Sequence, residues 1–267
     1  MTRPPASVSI RVHPWFVALA LLTAIPAMAA DHVLGKDGTP GYRDTDLVPG
    51  TQWHKHDPDR PVPPVVTPGK AGSPPSDAIP LFQGADLAQF GPNEWKVEDG
   101  VIVAGKGNLT TKQAFGDMQL HVEWCGPVEA MDKWTNQGNS GVWIMGLYEI
   151  QIFDSHSIKI YADGQAAAVY GETPPLANAT LPRGEWQTYD IIFKAPVYAG
   201  DKVVSPPRVT VFHNGVLAQH DTEIKGRIAH RKVVPLSPHP AKLPFALTGH
   251  NCPVKFRNIW VRELNLP

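Results

Sequence analysis

The chain has little with which to act through charge, cysteine or membrane. Its 267 residues carry 24 basic and 25 acidic side chains, a formal net charge of -1, with both signs interspersed. A basic block is missing, and with it the electrostatic footprint of a nucleic-acid-binding protein. Two cysteines, Cys125 and Cys252, are too few for a disulfide scaffold or a cysteine-rich zinc site. In an oxidising compartment they either pair or stay as two buried thiols, and the sequence leaves both open. Beyond residue 22 no apolar run approaches the roughly 20 residues that a membrane span needs. Long amphipathic helical patterns are also missing, which points away from helical architectures.

What is present begins with Arg3 and Arg11, followed by the apolar run Trp15 to Leu22 and the small-x-small sequence Ala27-Met28-Ala29. This order predicts a signal peptide over residues 1–29 rather than an anchor, and a periplasmic or secreted mature protein without a membrane span. Residues 30–78 read as an N-terminal arm and a proline-rich linker, because Asp57 to Pro80 is crowded with a residue that lacks the backbone donor. His54 and His56 have the spacing of some metal pairs, but no partnering ligand cluster accompanies them, so no cofactor is expected from them. A divalent ion near the carboxylates described below stays open, since no spacing demands one.

From Ile79 to the end the texture changes to short strand-like runs broken by Gly, Asn, Asp and Pro. Trp95 to Glu98 runs through Asp99-Gly100 into Val101 to Ala104, a hairpin pattern. In Met118 to Trp124 the apolar residues alternate with Gln119, His121 and Glu123, which predicts a strand with one core face. Further strands are predicted at Gln187 to Lys194, Arg208 to His213 and Val254 to Leu264. Many short strands in about 190 residues predict one all-β domain over 79–267, a two-sheet antiparallel sandwich or a barrel.

The candidate chemistry centres on Gly138 to Asp154, two strands joined by a turn. Glu149 and Gln151 fall on one face of the second strand, opposite Ile150 and Ile152. A polar face carrying Gln119, His121, Glu123, Glu149 and Gln151, with Trp124, Trp134, Trp143 and Tyr148 nearby, is what pyranose recognition uses: rings stack on C–H faces while polar groups bind hydroxyls. A carbohydrate is therefore the expected partner. A β-bulge after Gln151 would bring Asp154 to the face of Glu149 and give two carboxylates for acid and base roles. That layout resembles the Glu-x-Asp-x-x-Glu motif of laminarinase-like glucanases, with Gln151 and Asp154 as departures. Gln cannot do a carboxylate's work.

A closer resemblance rests on the ordered set Leu81-Phe82, Trp95, Leu109-Thr110-Thr111, Phe115-Gly116-Asp117, Asn139-Ser140-Gly141-Val142, Tyr148 to Asp154, Val169-Tyr170-Gly171, Gly184-Glu185-Trp186-Gln187 and Phe256-Arg257-Asn258-Ile259. In order and spacing this set is similar to the 3-keto-disaccharide hydrolase family, over about Ile79 to Leu264. The resemblance implies a concanavalin A-like jelly-roll sandwich that cleaves or hydrates glycosides oxidised at C3. A ketone at C3 acidifies the C2 proton, so such an enzyme needs a base near C2, a donor at the C3 oxygen and an acid for the leaving oxygen. On this resemblance Glu149 is the candidate base, and His121 or His250 the acid or polarising donor. Gln151, Asp154, Asn139, Ser140, Glu123, Tyr148, Trp186 and Arg257 are the candidate substrate-binding residues. Relatives carry a Leu-Gln-x-His stretch where this chain has Leu247-Thr248-Gly249-His250. Segments 129–137 and 231–242 read as inserts that reshape the cleft. The alternatives are a non-catalytic carbohydrate-binding module of the same fold and a glucanase-like hydrolase.

Overall fold

The computed structural model of the protein describes residues 32–70 and 72–266. The expected signal peptide lies outside them. The described residues divide into two compact units, one ending at Pro64 and the other beginning at Val65, so the proline-rich residues from Val65 onward belong to the second. In the first unit β1 (Val33–Leu34) pairs antiparallel with β2 (Pro40–Gly41). Asp59 ties this unit together by accepting from the Lys36 amide at 2.8 Å and pairing with the Arg43 guanidinium. His54 is engaged locally through Nδ1 and the Thr45 carbonyl.

The second unit contains β3 (Ile79–Phe82), β4 (Lys96–Glu98), β5 (Val101–Val103), β6 (Gly107–Thr110), β7 (Met118–Cys125), β8 (Ser140–Ile144), β9 (Tyr148–Ile152) and β10 (Trp186–Lys194). They are followed by β11 (Val197–Ala199), β12 (Lys202–Ser205), β13 (Arg208–His213), β14 (Val216–Glu223), β15 (Gly226–Arg227), β16 (Val234–Pro235), β17 (Ala246–Gly249) and β18 (Lys255–Glu263). The larger sheet has the order β14-β13-β10-β7-β18-β5-β4, with β3 also on β18, and the smaller has the order β6-β17-β8-β9. Pairing within both is antiparallel. This is the all-β sandwich that the strand pattern predicts. The hairpin between β4 and β5 turns through Asp99 and Gly100, both at positive φ, as its turn chemistry demands.

The core lies between the sheets because alternation sends every second side chain inward. Leu120, Val122 and Trp124 of β7 and Tyr189, Ile191 and Phe193 of β10 meet Val142, Ile144, Tyr148, Ile150 and Ile152 of β8 and β9. Cys125 and Cys252 are both buried, and both are free thiols. Among the described residues no helix is long and apolar enough to cross a membrane.

Candidate active site

The outer face of the smaller sheet is not open to water. It is roofed by loops, and beneath them lies a cavity of about 440 Å³. Its floor is made of side chains whose parity points away from the core: Trp143 on β8, then Glu149, Gln151 and Phe153 on and just after β9. One wall carries Asn139 and His250, and the other carries Tyr161, Tyr170 and His230.

Backbone pairing sets this arrangement. The free edge of β9 is covered by residues 167–170. The Gln151 amide donates to the Ala168 carbonyl at 3.0 Å, and the Tyr170 amide donates to the Glu149 carbonyl at 3.0 Å. The ladder thereby brings Tyr170 alongside Glu149. Ala167, which closes the same ladder by donating to the Gln151 carbonyl at 2.9 Å, is fully buried with φ of 66°. A buried non-glycine residue in that region costs free energy, so the surrounding contacts hold it there.

Glu149 is 5% exposed, and burial pushes its carboxyl up to about 8. The Trp143 indole N–H opposes that shift but forms no hydrogen bond with the carboxylate by distance and angle. Gln151 Oε1 and Trp143 Nε1 are buried without any protein partner. Buried polar atoms are usually paired, so an unsatisfied acceptor and donor on one cavity floor suit ligand hydroxyls. His250 is exposed on its outer side, and its partial desolvation against the cavity lowers its pKa and favours its neutral form. Burial, followed by the Tyr161 hydroxyl and the Glu149 charge, raises the pKa of Tyr170, which keeps its proton as a donor. The Tyr170 hydroxyl lies 2.9 Å from His230 Nδ1 and 3.5 Å from the Tyr161 hydroxyl.

The structure brings together Glu149, Gln151, Asn139 and His250 and places the other expected site residues elsewhere. Asp154 does not turn onto the face of Glu149. The β8–β9 ladder carries no bulge and ends at Ile152, and the Asp154 amide donates to the Gln137 carbonyl at 2.8 Å. The Asp154 carboxylate pairs instead with Arg183, away from the cavity. Ser140 is fully buried and donates to the Thr248 carbonyl at 2.6 Å. Tyr148 faces the core, its hydroxyl 2.9 Å from His239 Nε2.

His121, Glu123, Trp186 and Arg257 lie on the outer face of the larger sheet, across the core from Glu149. The expectation of one shared polar face is therefore corrected: alternation assigned a face, but the strands belong to different sheets. A bulge between Arg257 and Trp260 turns several β18 side chains onto this second face. Glu123 accepts from Arg257 Nε at 2.6 Å and from Asn258 Nδ2 at 2.8 Å, and these partners outweigh burial to hold its carboxyl below the usual range. His121 stacks on Trp260 with ring centroids 5.1 Å apart and contacts Asp190 at 2.7 Å. Arg257 lies over Trp186, 4.0 Å from the ring centroid. The Gly72 carbonyl accepts from both Asn258 and Trp260, so part of the chain's own proline-rich segment covers this network.

The family model of the 3-keto-alpha-glucoside-1,2-lyase-like domain matches residues 77–262. The chain belongs to this family. A crystal structure of a "putative glycosyl hydrolase" from Parabacteroides distasonis is 39% identical, covers 82% of this chain and 100% of its own, and superposes with a TM-score of 0.75. A second so described from that organism, 24% identical with a TM-score of 0.52 over 70% of this chain and 99% of its own, shares the fold. No curated protein matches the chain. The 3-keto-alpha-glucoside-1,2-lyase-like domain is carbohydrate-active, and the roofed cavity is its candidate active site.

Tyr161, Tyr170 and His230 were not singled out as site residues from the sequence. Tyr170 stood within the motif Val169-Tyr170-Gly171, while Tyr161 and His230 come from irregular loops where no periodicity marks a face. Among the described residues no group of three or more His, Cys, Asp and Glu side chains converges to hold a metal ion.

Proposed function

We propose that this cavity cleaves glycosides oxidised at C3 by removing the C2 proton. The observation that carries the reading is a lone buried carboxylate: among the described residues Glu149 is the one Asp or Glu lining the cavity, and Asp163 lines only the compartment beside it. Ordinary glycoside hydrolysis needs two carboxyl groups flanking the scissile bond, roughly 5–10 Å apart. A single carboxyl cannot fill both roles, and one whose pKa is pushed up to about 8 is a stronger base for abstracting a weakly acidic C–H proton.

The Glu149 carboxylate takes the C2 proton, and the C–H electron pair forms a C2–C3 double bond as the C3 oxygen becomes an enolate. Asn139 and the neutral His250, on one wall, donate to that oxygen. The enolate then reforms the ketone, its electrons make a C1–C2 double bond, and the bond from C1 to the leaving oxygen breaks. Tyr170, on the opposite wall and linked to His230, donates a proton to that oxygen. Addition of water, hydroxyl to C1 and proton to C2, completes net hydrolysis. Gln151 Oε1 and Trp143 Nε1 take up hydroxyls of the ring. The apolar run over residues 15–22, preceded by Arg3 and Arg11, supports delivery of this activity to the periplasm or beyond the cell.

The test is incubation of the protein with a 3-keto-disaccharide beside its unoxidised parent, followed by NMR. The reading expects release of the second sugar from the oxidised compound alone. Cleavage of the parent, or of neither, contradicts it.

A further inference from the structure

Beside the cavity lies a second compartment of about 590 Å³ that shares Tyr161, Tyr170 and His230 with it. The two differ in chemistry: the inner cavity is nearly balanced between polar and apolar surface, whereas the outer compartment exposes mostly apolar surface, although Asp163, Arg231 and Lys232 also line it. Two aromatic rings dominate it, Trp134 at 61% and Tyr161 at 43% exposure. The backbone that carries each is tied down or closely packed. The loop bearing Trp134 is anchored by the buried Gln137, which accepts from the Met131 amide at 3.1 Å and donates to the Lys133 carbonyl at 2.9 Å. The Tyr161 ring packs against Gly164, where any Cβ would overlap it.

We infer that this outer compartment receives the leaving group and is built for a planar aromatic one. The inference rests on the function proposed above. Tyr170 stands at the threshold and donates to the oxygen that joins the two halves of the substrate, so whatever C1 releases must extend outward past Tyr161. A second sugar would need many paired hydroxyls, which a balanced wall supplies and a mostly apolar one does not. Rings of this kind also stack on a sugar's C–H face, but an aryl group stacks across its whole face and leaves no hydroxyls to pair.

The experiment compares wild type with Trp134→Ala on 3-keto phenyl glucoside, 3-keto methyl glucoside and a 3-keto-disaccharide, with binding of unoxidised phenyl glucoside measured by calorimetry. Loss of the Trp134 ring is expected to raise KM for the phenyl substrate about tenfold relative to its effect on the methyl one. Comparing variants on one substrate cancels the intrinsic reactivity of phenol as a leaving group. An unchanged ratio, or an equal loss with the disaccharide, overturns the aromatic assignment while leaving the proposed chemistry standing. If no 3-keto compound turns over, the chemistry fails and binding decides the compartment. Phenyl glucoside affinity falling about tenfold in Trp134→Ala then supports it, and equal affinity overturns it.

Discussion

Glu149 lies across the face of Gly141. On the outer side of the β8–β9 ladder its side chain folds over the position where residue 141 would carry a Cβ, and a Cβ there would overlap the carboxylate. Gly141 is thus a seat for the proposed base. Gly141→Ala is expected to displace Glu149 and lower kcat/KM by about 100-fold, the scale on which a misplaced catalytic group costs rate. Crowding of this kind destabilises by about 1–3 kcal/mol, so the protein still folds. Turnover and thermal melts of the same sample separate the two effects.

Activity and stability are expected to run in opposite directions with pH. The deprotonated Glu149 is the base, so kcat/KM for the free enzyme rises through a midpoint near the value of about 8 that burial gives this carboxyl. In the unfolded chain the same group titrates near its ordinary value of 4.5. Between those two values the folded state holds a proton that the unfolded state has lost. Its contribution to stability is therefore full below the unfolded value and declines as pH rises from there through the folded one, by on the order of 5 kcal/mol in all. Glu149→Gln removes this decline. Denaturant melts of wild type and variant at acidic and alkaline pH measure it, and an unaltered pH dependence in the variant would refute the assignment.

The Asp154–Arg183 pair is structural. Both side chains are largely buried, and Arg183 also donates to Gln137 Oε1 at 3.0 Å, which ties the loop before β8 to the segment before β10. Asp154→Asn leaves a buried guanidinium without its charge partner and is expected to cost about 3 kcal/mol. Away from the reacting atoms, it leaves kcat/KM of the folded protein within about threefold. Urea melts with initial rates on the same protein check both halves. A far larger loss of rate would bring Asp154 back into the chemistry.

Much of the sandwich was legible in the sequence because each strand states its own face. The alternation in Met118 to Trp124 and the turn dipeptide Asp99-Gly100 are local signals, and they fall where the strands and the turn fall. The placement of Glu149 and Gln151 side by side followed from the same period of two. What alternation cannot state is which sheet a strand joins. His121 and Glu149 each face outward, yet from opposite sides of the core, because β7 pairs with β10 and β18 while β9 pairs with β8. The bulge sought near Asp154 lies in β18 instead, where Asn258 takes a φ of 45°. Tyr170 reaches the cavity through its backbone bond to Glu149, a contact between distant residues that no local pattern encodes.

The central claim is that Glu149 removes the C2 proton of a 3-keto-glycoside. Its most direct test is NMR of a 3-keto-disaccharide incubated in deuterated water with wild type and with Glu149→Gln. The account predicts deuterium at C2 of the recovered 3-keto sugar together with release of the leaving sugar by wild type, and neither with the variant. Cleavage without deuterium at C2, or undiminished exchange in Glu149→Gln, would contradict it.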